Sequence, residues 1–348
     1  VQELFNVEMV VHKPTLSFIK KIFEKRNIPF SKSNYEQAEV PENAEVLFNN
    51  QGTAPGLWFE ENDTLMAVLP GVPYEMKQLV KDKVKPKLDT LTGGNEKRFS
   101  RYILTAGVGE STLSDNIIGD LESFLNDHLS VAYLPSPQGA RIRISGYGSS
   151  EEEVDEYIEP VVRHIYDKAS EFIVGEGKEF TLSEAVGNIL REHSLTLAVA
   201  ESCTGGMVAD SITNVAGSSD YFLGGMVTYS NKAKIELLDV TKKDIENLGA
   251  VSKAVALQMA KGAADKFGAD IGISTTGIAG PGGGTEEKPV GTVWIGYWSK
   301  EKHFAIKALF TNDRLINKER STAVALEIIR RKVLGYESLP YELKPQFA

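Results

Sequence analysis

An apolar run from Leu195 to Ala200 breaks into Glu201-Ser202-Cys203-Thr204-Gly205-Gly206 and resumes from Met207 with helix-like spacing. A strand that must turn into a helix over so short a passage restricts the fold more than any other stretch of the chain. Glycine permits the turn, because without a Cβ the backbone can bend tightly and approach a bound group. The start of the helix also offers N–H groups to an anion. Ser202 stands where a nucleophile elbow would place its serine, although the G-x-S-x-G pattern is absent. The competing reading is that Ser202 or Thr204 only caps the helix.

The residues around this turn alternate between strand and helix patterns. A helix is expected over Leu182 to His193, and a strand from Phe222 to Tyr229 that ends in Ser230-Asn231-Lys232-Ala233-Lys234. Gly249-Ala250-Val251-Ser252 precedes a helix with Val255, Met259 and Ala263 on one side, and Ser252 is its expected N-cap. Asp270 to Ser274 reads as a short buried strand leading into Thr275-Thr276-Gly277-Ile278-Ala279-Gly280-Pro281-Gly282-Gly283-Gly284. A strand over Val290 to Trp298 and a helix over Asn317 to Val333, with Ala325, Ile328 and Ile329 apolar, complete an α/β segment with a layered sheet. The glycine run is not a P-loop, since no Gly-Lys-Ser/Thr follows and Lys288 comes too late, so ATP hydrolysis is not expected.

At 348 residues the chain has room for two or three domains. A net charge of −10 argues against general binding to nucleic-acid backbones. The single cysteine, Cys203, cannot form an internal disulfide, which fits a reducing cytoplasm. No apolar run approaches a membrane span, no signal peptide is visible, and five scattered histidines suggest no metal site. Val1-Gln-Glu-Leu-Phe-Asn reads as the end of a helix already under way, so the chain is expected to be a fragment.

Three domains are expected: 1–96, 97–176 and 177–348. In the first, Leu16, Ile19, Ile22 and Phe23 form a helical stripe behind Pro14, while Glu45 to Phe48 and Thr64 to Leu69 are strands. Asn50-Gln51-Gly52-Thr53-Ala54-Pro55-Gly56 and Leu69-Pro70-Gly71-Val72-Pro73-Tyr74-Glu75-Met76 are glycine–proline loops at strand ends, where open α/β sheets hold ligands; ordinary turn chemistry explains each one taken singly. Gly93-Gly94-Asn95 is the expected linker. The second domain reads βαββα: a strand from Arg101 to Ala106, and a helix opening at Gly109-Glu110-Ser111 with Leu113, Ile117, Leu121, Phe124 and Leu125 on one face. A hairpin around Pro135 to Gly139 follows, then a helix capped near Ser149-Ser150. Arg141 and Arg143 are expected on a solvated strand face.

These motifs resemble one family. G-T-A-P-G with L-P-G-V-P-Y-E-M is similar to the second half of the molybdopterin-binding-like domain at the amino end of CinA proteins, an ADP-ribose pyrophosphatase in some members. The family's earlier glycine-rich loop and its acidic G-P-T-x-D-D stretch are absent here, and with them the expected phosphate and metal ligands. The middle segment resembles the KH-like domain of CinA proteins but has no G-x-x-G loop, so RNA binding is not expected. A-E-S-C-T-G-G, V-T-Y-S-N-K-A-K, G-A-V-S, T-G-I-A-G-P-G-G and E-E-K-P-V-G-T-V-W, in that order, look like the CinA carboxyl-terminal domain. In that family this domain is the nicotinamide mononucleotide deamidase. The resemblance therefore implies α/β/α layered sheets at both ends with a small α+β domain between them. A departure is Asn312-Asp313-Arg314, where many members have G-D-R.

Amide hydrolysis needs a nucleophile, a base and donors for the developing oxyanion. Ser202 is the nucleophile expected here, and the backbone N–H groups of Thr204 and Gly205 are the expected donors. His193 and His303 lie outside any glycine-rich motif, so a lysine base is preferred to a histidine–aspartate pair. The resemblance assigns catalytic positions to Lys234, Tyr229 and Thr276 and an active-site position to Arg314, whose planar fork suits a phosphate, with Gly277 and Gly280 as substrate-binding residues in the glycine-rich motif. Arg320 is a weaker phosphate candidate, and Glu201 could support the turn structurally. In the first domain Gly52, Thr53, Pro70, Gly71 and Glu75 form the candidate nucleotide loop. No cofactor is expected for deamidation, and a divalent metal belongs only to a complete N-terminal domain. The expected partner is a small nucleotide substrate, without nucleic acid or membrane, and the expected assembly a homodimer. Two other readings stand beside this one: ADP-ribose pyrophosphatase, and a non-catalytic nucleotide-binding, competence-associated protein.

Overall fold

The structure is a computed structural model that describes residues 7–61, 64–91, 97–126 and 128–347. It divides into two compact units, Val1–Glu96 and Lys97–Ala348. The start of the chain through Asn6 and the glycine linker at Gly93–Asn95 lie outside the described residues.

In the first unit β1 (Met9–Val11) pairs antiparallel with β2 (Glu39–Pro41), and α1 (Lys13–Lys25) and α2 (Lys32–Glu36) lie between them in sequence. Pro14 suits the first turn of α1, where its missing N–H is not needed, and Ile19 is fully buried. β3 (Glu45–Leu47), β4 (Gly56–Glu61) and β5 (Thr64–Val68) form an antiparallel meander. α3 (Pro73–Leu79) passes through a π-helical turn, Val80–Val84, into α4 (Lys85–Leu91). Leu47, Trp58, Leu79 and Val84 make the small core.

The second unit begins with a four-stranded antiparallel sheet in the order β7 (Leu129–Ser136), β8 (Gly139–Gly148), β6 (Lys97–Thr105), β9 (Ile173–Glu176). One helix, α5 (Glu151–Ala169), covers it with Val154, Ile158, Val161 and Ile165. The Ser150 side chain accepts from Glu153 N at the start of α5, as the sequence suggests. The expected helix after Gly109 is interrupted. A π-helical segment, Thr112–Ile118, stops at Gly119 with φ +77, and only a short 3₁₀ turn, Glu122–Phe124, follows. The apolar periodicity was present, but the left-handed residue in its middle cannot continue a helix. Arg141 is not on a solvated face either. Its guanidinium donates to the carbonyls of Gly177 and Phe180, and Arg143 Nε is buried without a partner among the described residues.

The remaining sheet has six strands in the order β11 (Phe222–Val227), β10 (Leu197–Glu201), β12 (Ile271–Gly277), β13 (Thr292–Ser299), β14 (His303–Leu309), β15 (Gln346–Phe347). β11, β10 and β12 are mutually parallel, and the strands from β12 onward are antiparallel. Alternation along β10 explains the layering. Leu197 and Val199 face α6 (Leu182–Glu192), α7 (Met207–Thr213) and α11 (Arg314–Val333), while Ala198 and Ala200 face α8 (Asn231–Leu238), α9 (Lys242–Leu248) and α10 (Lys253–Phe267). The protein is thus a mixed α/β multidomain chain with several sheets.

On α11, the buried Glu327 carboxylate accepts from both Arg330 and Arg331. Arg330 also reaches the carbonyls of Glu171 and Ile173, which ties this helix to the end of the middle sheet. No helix among the described residues is long and apolar enough to cross a membrane.

Candidate active site

Three parallel strands end side by side, and their carboxyl ends build one cavity of about 300 Å³. β10 delivers Glu201 and Ser202, β11 delivers Thr228 and Tyr229, and β12 delivers Thr275, Thr276 and Gly277. This is where an open sheet has room for a ligand, because the following loops diverge from the strand ends.

The turn after β10 is held from inside. Ser202 N donates to Thr275 O at 2.9 Å, and the hydroxyls of Thr204 and Thr275 are 2.6 Å apart in the core. Gly205 and Gly206 take φ of +63 and +99, values that disfavour any residue with a Cβ. The helix start is not open to an outside anion. The fully buried Glu201 carboxylate accepts from Gly206 N, Val208 N and Ala209 N at 2.9, 3.1 and 2.8 Å. Glu201 is therefore the anion at this helix start, and Ser202 is not its cap.

Lys234 meets Ser202 from α8. The strand expected to reach Tyr229 stops at Val227, and Ser230 accepts from Ala233 N and caps the helix, which puts Lys234 in its first turn. The lysine is 1% exposed. Its Nζ donates to Ser202 Oγ at 3.0 Å, to Thr228 O at 2.7 Å and to Tyr229 O at 3.4 Å. No carboxylate lies within ion-pair distance among the described residues, so burial dominates and lowers its pKa to about 8. The neighbouring Cys203 thiol is pushed the other way, up to about 12, by burial first and by Glu201 as well. A lysine near neutrality beside a serine can accept its proton, whereas a thiol this basic stays protonated.

Two expected donors fare differently. Gly205 N–H donates to Ser202 O within the turn, so it is not free for an oxyanion. The Cys203 and Thr204 N–H groups have no backbone acceptor among the described residues, and of the two residues only Cys203 lines the cavity beside Ser202. Thr276 lines the cavity, but its hydroxyl donates to Ala250 O at 2.9 Å, so it fixes the opposite wall. Tyr229 is largely exposed at the mouth, and its hydroxyl accepts from Arg314 at 3.0 Å. Arg314 also donates to Gly280 O at 2.8 Å. Gly277 and Gly280 line the same cavity, whereas Thr204 and Gly205 do not. Arg320 borders a separate cavity between β14 and the middle sheet and takes no part here.

Several contributors were not singled out as site residues. Ala250, Val251 and Ile278 give apolar walls. Asn317 is fully buried and donates to Ala279 O and Thr311 O, which pins the glycine loop to α11. A Cβ on Gly205 would stand 3.8 Å from Lys318 Nζ, so a further cation overhangs the turn. The G-A-V-S motif was the signal for the first group; nothing local marks Asn317 or Lys318. Ser252 is not a side-chain cap, because its hydroxyl donates back to Gly249 O.

In the first unit the structure joins Gly52 and Glu75. Asn49 Nδ2 donates to Glu75 Oε2 at 2.7 Å, and Asn49 Oδ1 accepts from Gly52 N at 3.2 Å. A Cβ on Gly52 would stand 2.0 Å from that carboxylate. Thr53 is half-buried in the same loop, Pro70 is buried, and Gly71 is exposed with open space around it. No group of three or more His, Cys, Asp or Glu side chains suited to a metal occurs among the described residues.

Comparison with known proteins covers most of the chain. The family model described as "CinA C-terminal domain" matches residues 179–333, and that described as "Damage-inducible protein CinA KH domain" matches residues 100–175. Neither reaches the residues before 100. A CinA-like protein of Salinibacter ruber is 40% identical over 332 residues, covering 95% of this chain and 80% of the relative. A CinA-like protein of Cytophaga hutchinsonii is 39% identical over 333 residues, covering 94% and 78%. Among solved structures, a competence/damage inducible protein from Agrobacterium tumefaciens is 37% identical over 42% of this chain and 91% of its own, with a TM-score of 0.42. A CinA superfamily protein from Klebsiella pneumoniae is 31% identical over 44% and 97%, with a TM-score of 0.43.

Proposed function

The chain belongs to the CinA family, with that family's C-terminal and KH domains, and from this premise we propose that it hydrolyses the carboxamide of nicotinamide mononucleotide to nicotinate mononucleotide and ammonia. The observation that carries the reading is the 3.0 Å contact between Ser202 Oγ and the buried Lys234 amine, with no counter-ion on the lysine among the described residues. Such a pair can run acyl transfer without histidine.

Neutral Lys234 takes the Ser202 proton as Oγ bonds to the carboxamide carbon. The carbonyl electron pair moves onto oxygen, which accepts from the Cys203 N–H group at the cavity wall. The C–N bond then breaks while the Lys234 ammonium returns its proton to nitrogen, releasing ammonia and leaving an acyl-serine. A water molecule gives a proton to Lys234 and attacks the acyl carbon. Oγ departs with that proton, and the carboxylate product leaves.

In this reading Arg314 holds the phosphate, through a planar fork that keeps donors free beyond Tyr229 and Gly280. Tyr229 covers the pyridine ring at the mouth. Thr276, Gly277 and Gly280 shape the opposite wall, with no metal or organic cofactor in the steps. We place the reaction in a reducing cytoplasm, with a homodimer as the assembly. Residues 1–96 we read as part of a layered molybdopterin-binding-like domain. This chain should leave ADP-ribose at background, and strong AMP production with a divalent metal supplied would overturn that view. The central test is ammonia release from nicotinamide mononucleotide by the full chain; no release at any substrate concentration would reject the proposal.

A further inference from the structure

The E-E-K-P motif takes no part in the chemistry above, yet its lysine makes a specific contact. The loop that carries it leaves β12 at Ile278 and returns at Gly291. Its ends are closed by Ile278 N donating to Thr292 O and Gly291 N donating to Ile278 O, each at 2.8 Å. The near half of this loop, with Gly280, Gly282 and Gly283, lines the Ser202 cavity. The far half turns back through Thr285 and Lys288, where Thr285 N donates to Lys288 O at 2.9 Å and Lys288 N donates to Thr285 Oγ1 at 3.1 Å. From that turn Lys288 Nζ reaches across to the Leu248 carbonyl at 2.6 Å.

Leu248 is the last residue of α9, and the chain then runs through Gly249 into Ala250 and Val251, which line the other side of the cavity. Gly249 takes φ +76, and a Cβ there would stand 3.4 Å from the Lys288 ammonium, so the cation is seated against this turn. The turn is fixed independently by Thr276 donating to Ala250 O and Ser252 donating to Gly249 O. The glycine loop lacks such support at its outer end, because Gly282 and Gly283 are exposed and have no side chain to pack. Lys288 makes no ion pair among the described residues, so the Leu248 carbonyl is the partner that organises its charge.

We infer that Lys288 is a positioning residue, whose bond to the Leu248 carbonyl holds the glycine-rich loop 280–291 against the 248–251 turn and so fixes the width of the substrate cavity. The Ser202–Lys234 pair is anchored separately, through Thr275 O and Thr228 O. Loss of the latch therefore loosens substrate binding and leaves the reacting groups in place. That pattern raises KM and spares kcat.

The inference rests on the deamidase reading for its substrate, and the test separates the two. Lys288→Met in the full chain should raise KM for nicotinamide mononucleotide about tenfold with kcat within about twofold, a loss of about 1.4 kcal/mol in binding. Lys288→Arg, which keeps the charge and reach, should restore most of the affinity. Hydrogen exchange should quicken at 246–253 and 278–291 in Lys288→Met and stay unchanged at 200–209. An unchanged KM, or a fall in kcat alone, would overturn the latch. If the unaltered protein releases no ammonia, the deamidase reading fails while the exchange measurement still decides the latch: unchanged exchange in both segments rejects it.

Discussion

Each unit of the protein carries a glycine turn at a strand end with a buried carboxylate beneath it, and the two carboxylates do different work. Glu75 lies under the Asn49–Gly56 loop, held by the Asn49 amide, and fills the space that a side chain at Gly52 would need. Glu201 lies under the Ser202 turn but spends its oxygens on three N–H groups of the following helix. The first arrangement closes the turn on itself. The second satisfies the helix from below and leaves Ser202, Cys203 and Lys234 lining a cavity. A strand-end glycine turn is thus not a site by itself; what occupies its hollow decides.

The sharpest way to break the comparison is to remove reacting groups from one turn and matching groups from the other. Ser202→Ala should lower deamidation at least about a hundredfold, since loss of a covalent nucleophile commonly costs orders of magnitude. Thr53→Ala in the other loop should leave it unchanged. Equal turnover in wild type and Ser202→Ala, measured as ammonia release, would remove the serine mechanism.

Lys234 allows a test with two signs. With Lys234 as the proposed base, kcat/KM should rise with pH and level off above about 8, the value to which burial lowers it. Stability moves separately. With the folded pKa near 8 and the ordinary value 10.5, the unfolded chain binds more protons between those limits. The cost of burying the ammonium is therefore full below pH 8 and fades as pH rises to 10.5. Lys234→Met should be inactive yet more stable than wild type at pH 7 by about 1–3 kcal/mol, with the difference vanishing near pH 10.5. Urea denaturation at the two pH values checks it; a less stable Lys234→Met at pH 7 would mean the buried amine is better compensated than its contacts indicate.

How much of this was open to reading from sequence depends on how local each contact is. The β10 turn, Ser202 and the Ser150 cap were legible because strand, turn and first helical turn are adjacent in the chain. Family resemblance pointed to Lys234, but the burial of its amine against Ser202 and the Thr228 carbonyl joins residues from separate elements, which no local pattern reports. Thr204 and Gly205 looked equivalent as donors; only the hydrogen bond from Gly205 back to Ser202 O separates them. Asn317 and the Glu327–Arg330–Arg331 group act across long sequence separations, and a helix pattern reports apolar stripes, not buried charge.

The carboxylates themselves give a smaller effect. Glu201→Ala strands three buried or half-buried N–H groups and should cost about 2–4 kcal/mol. Glu75→Gln keeps an oxygen for Asn49 and removes a buried charge, so it should stay within about 1 kcal/mol of wild type. A Glu75→Gln loss as large as that of Glu201→Ala, in the same denaturation assay, would show the first loop to depend on charge as the second does on hydrogen bonds.

The smallest effect is expected one residue from Ser202. A thiolate outperforms a serine hydroxyl near neutral pH, so Cys203 is the obvious rival on chemistry alone. The structure sets the two side by side in different surroundings. Cys203 is buried among Val199, Val208 and their neighbours, and burial with Glu201 pushes its thiol up to about 12, so thiolate is scarce at neutral pH. Ser202 faces Lys234, which donates to its oxygen at 3.0 Å. A small apolar residue at 203 keeps the packing and leaves its N–H in place for the oxyanion. Cys203→Ala should therefore keep activity within about threefold, and iodoacetamide should inactivate the protein slowly, because alkylation needs the thiolate. Rapid alkylation of Cys203 that tracks loss of ammonia release, together with an inactive Cys203→Ser, would transfer the nucleophile to sulfur and place the working group on the core side of the turn.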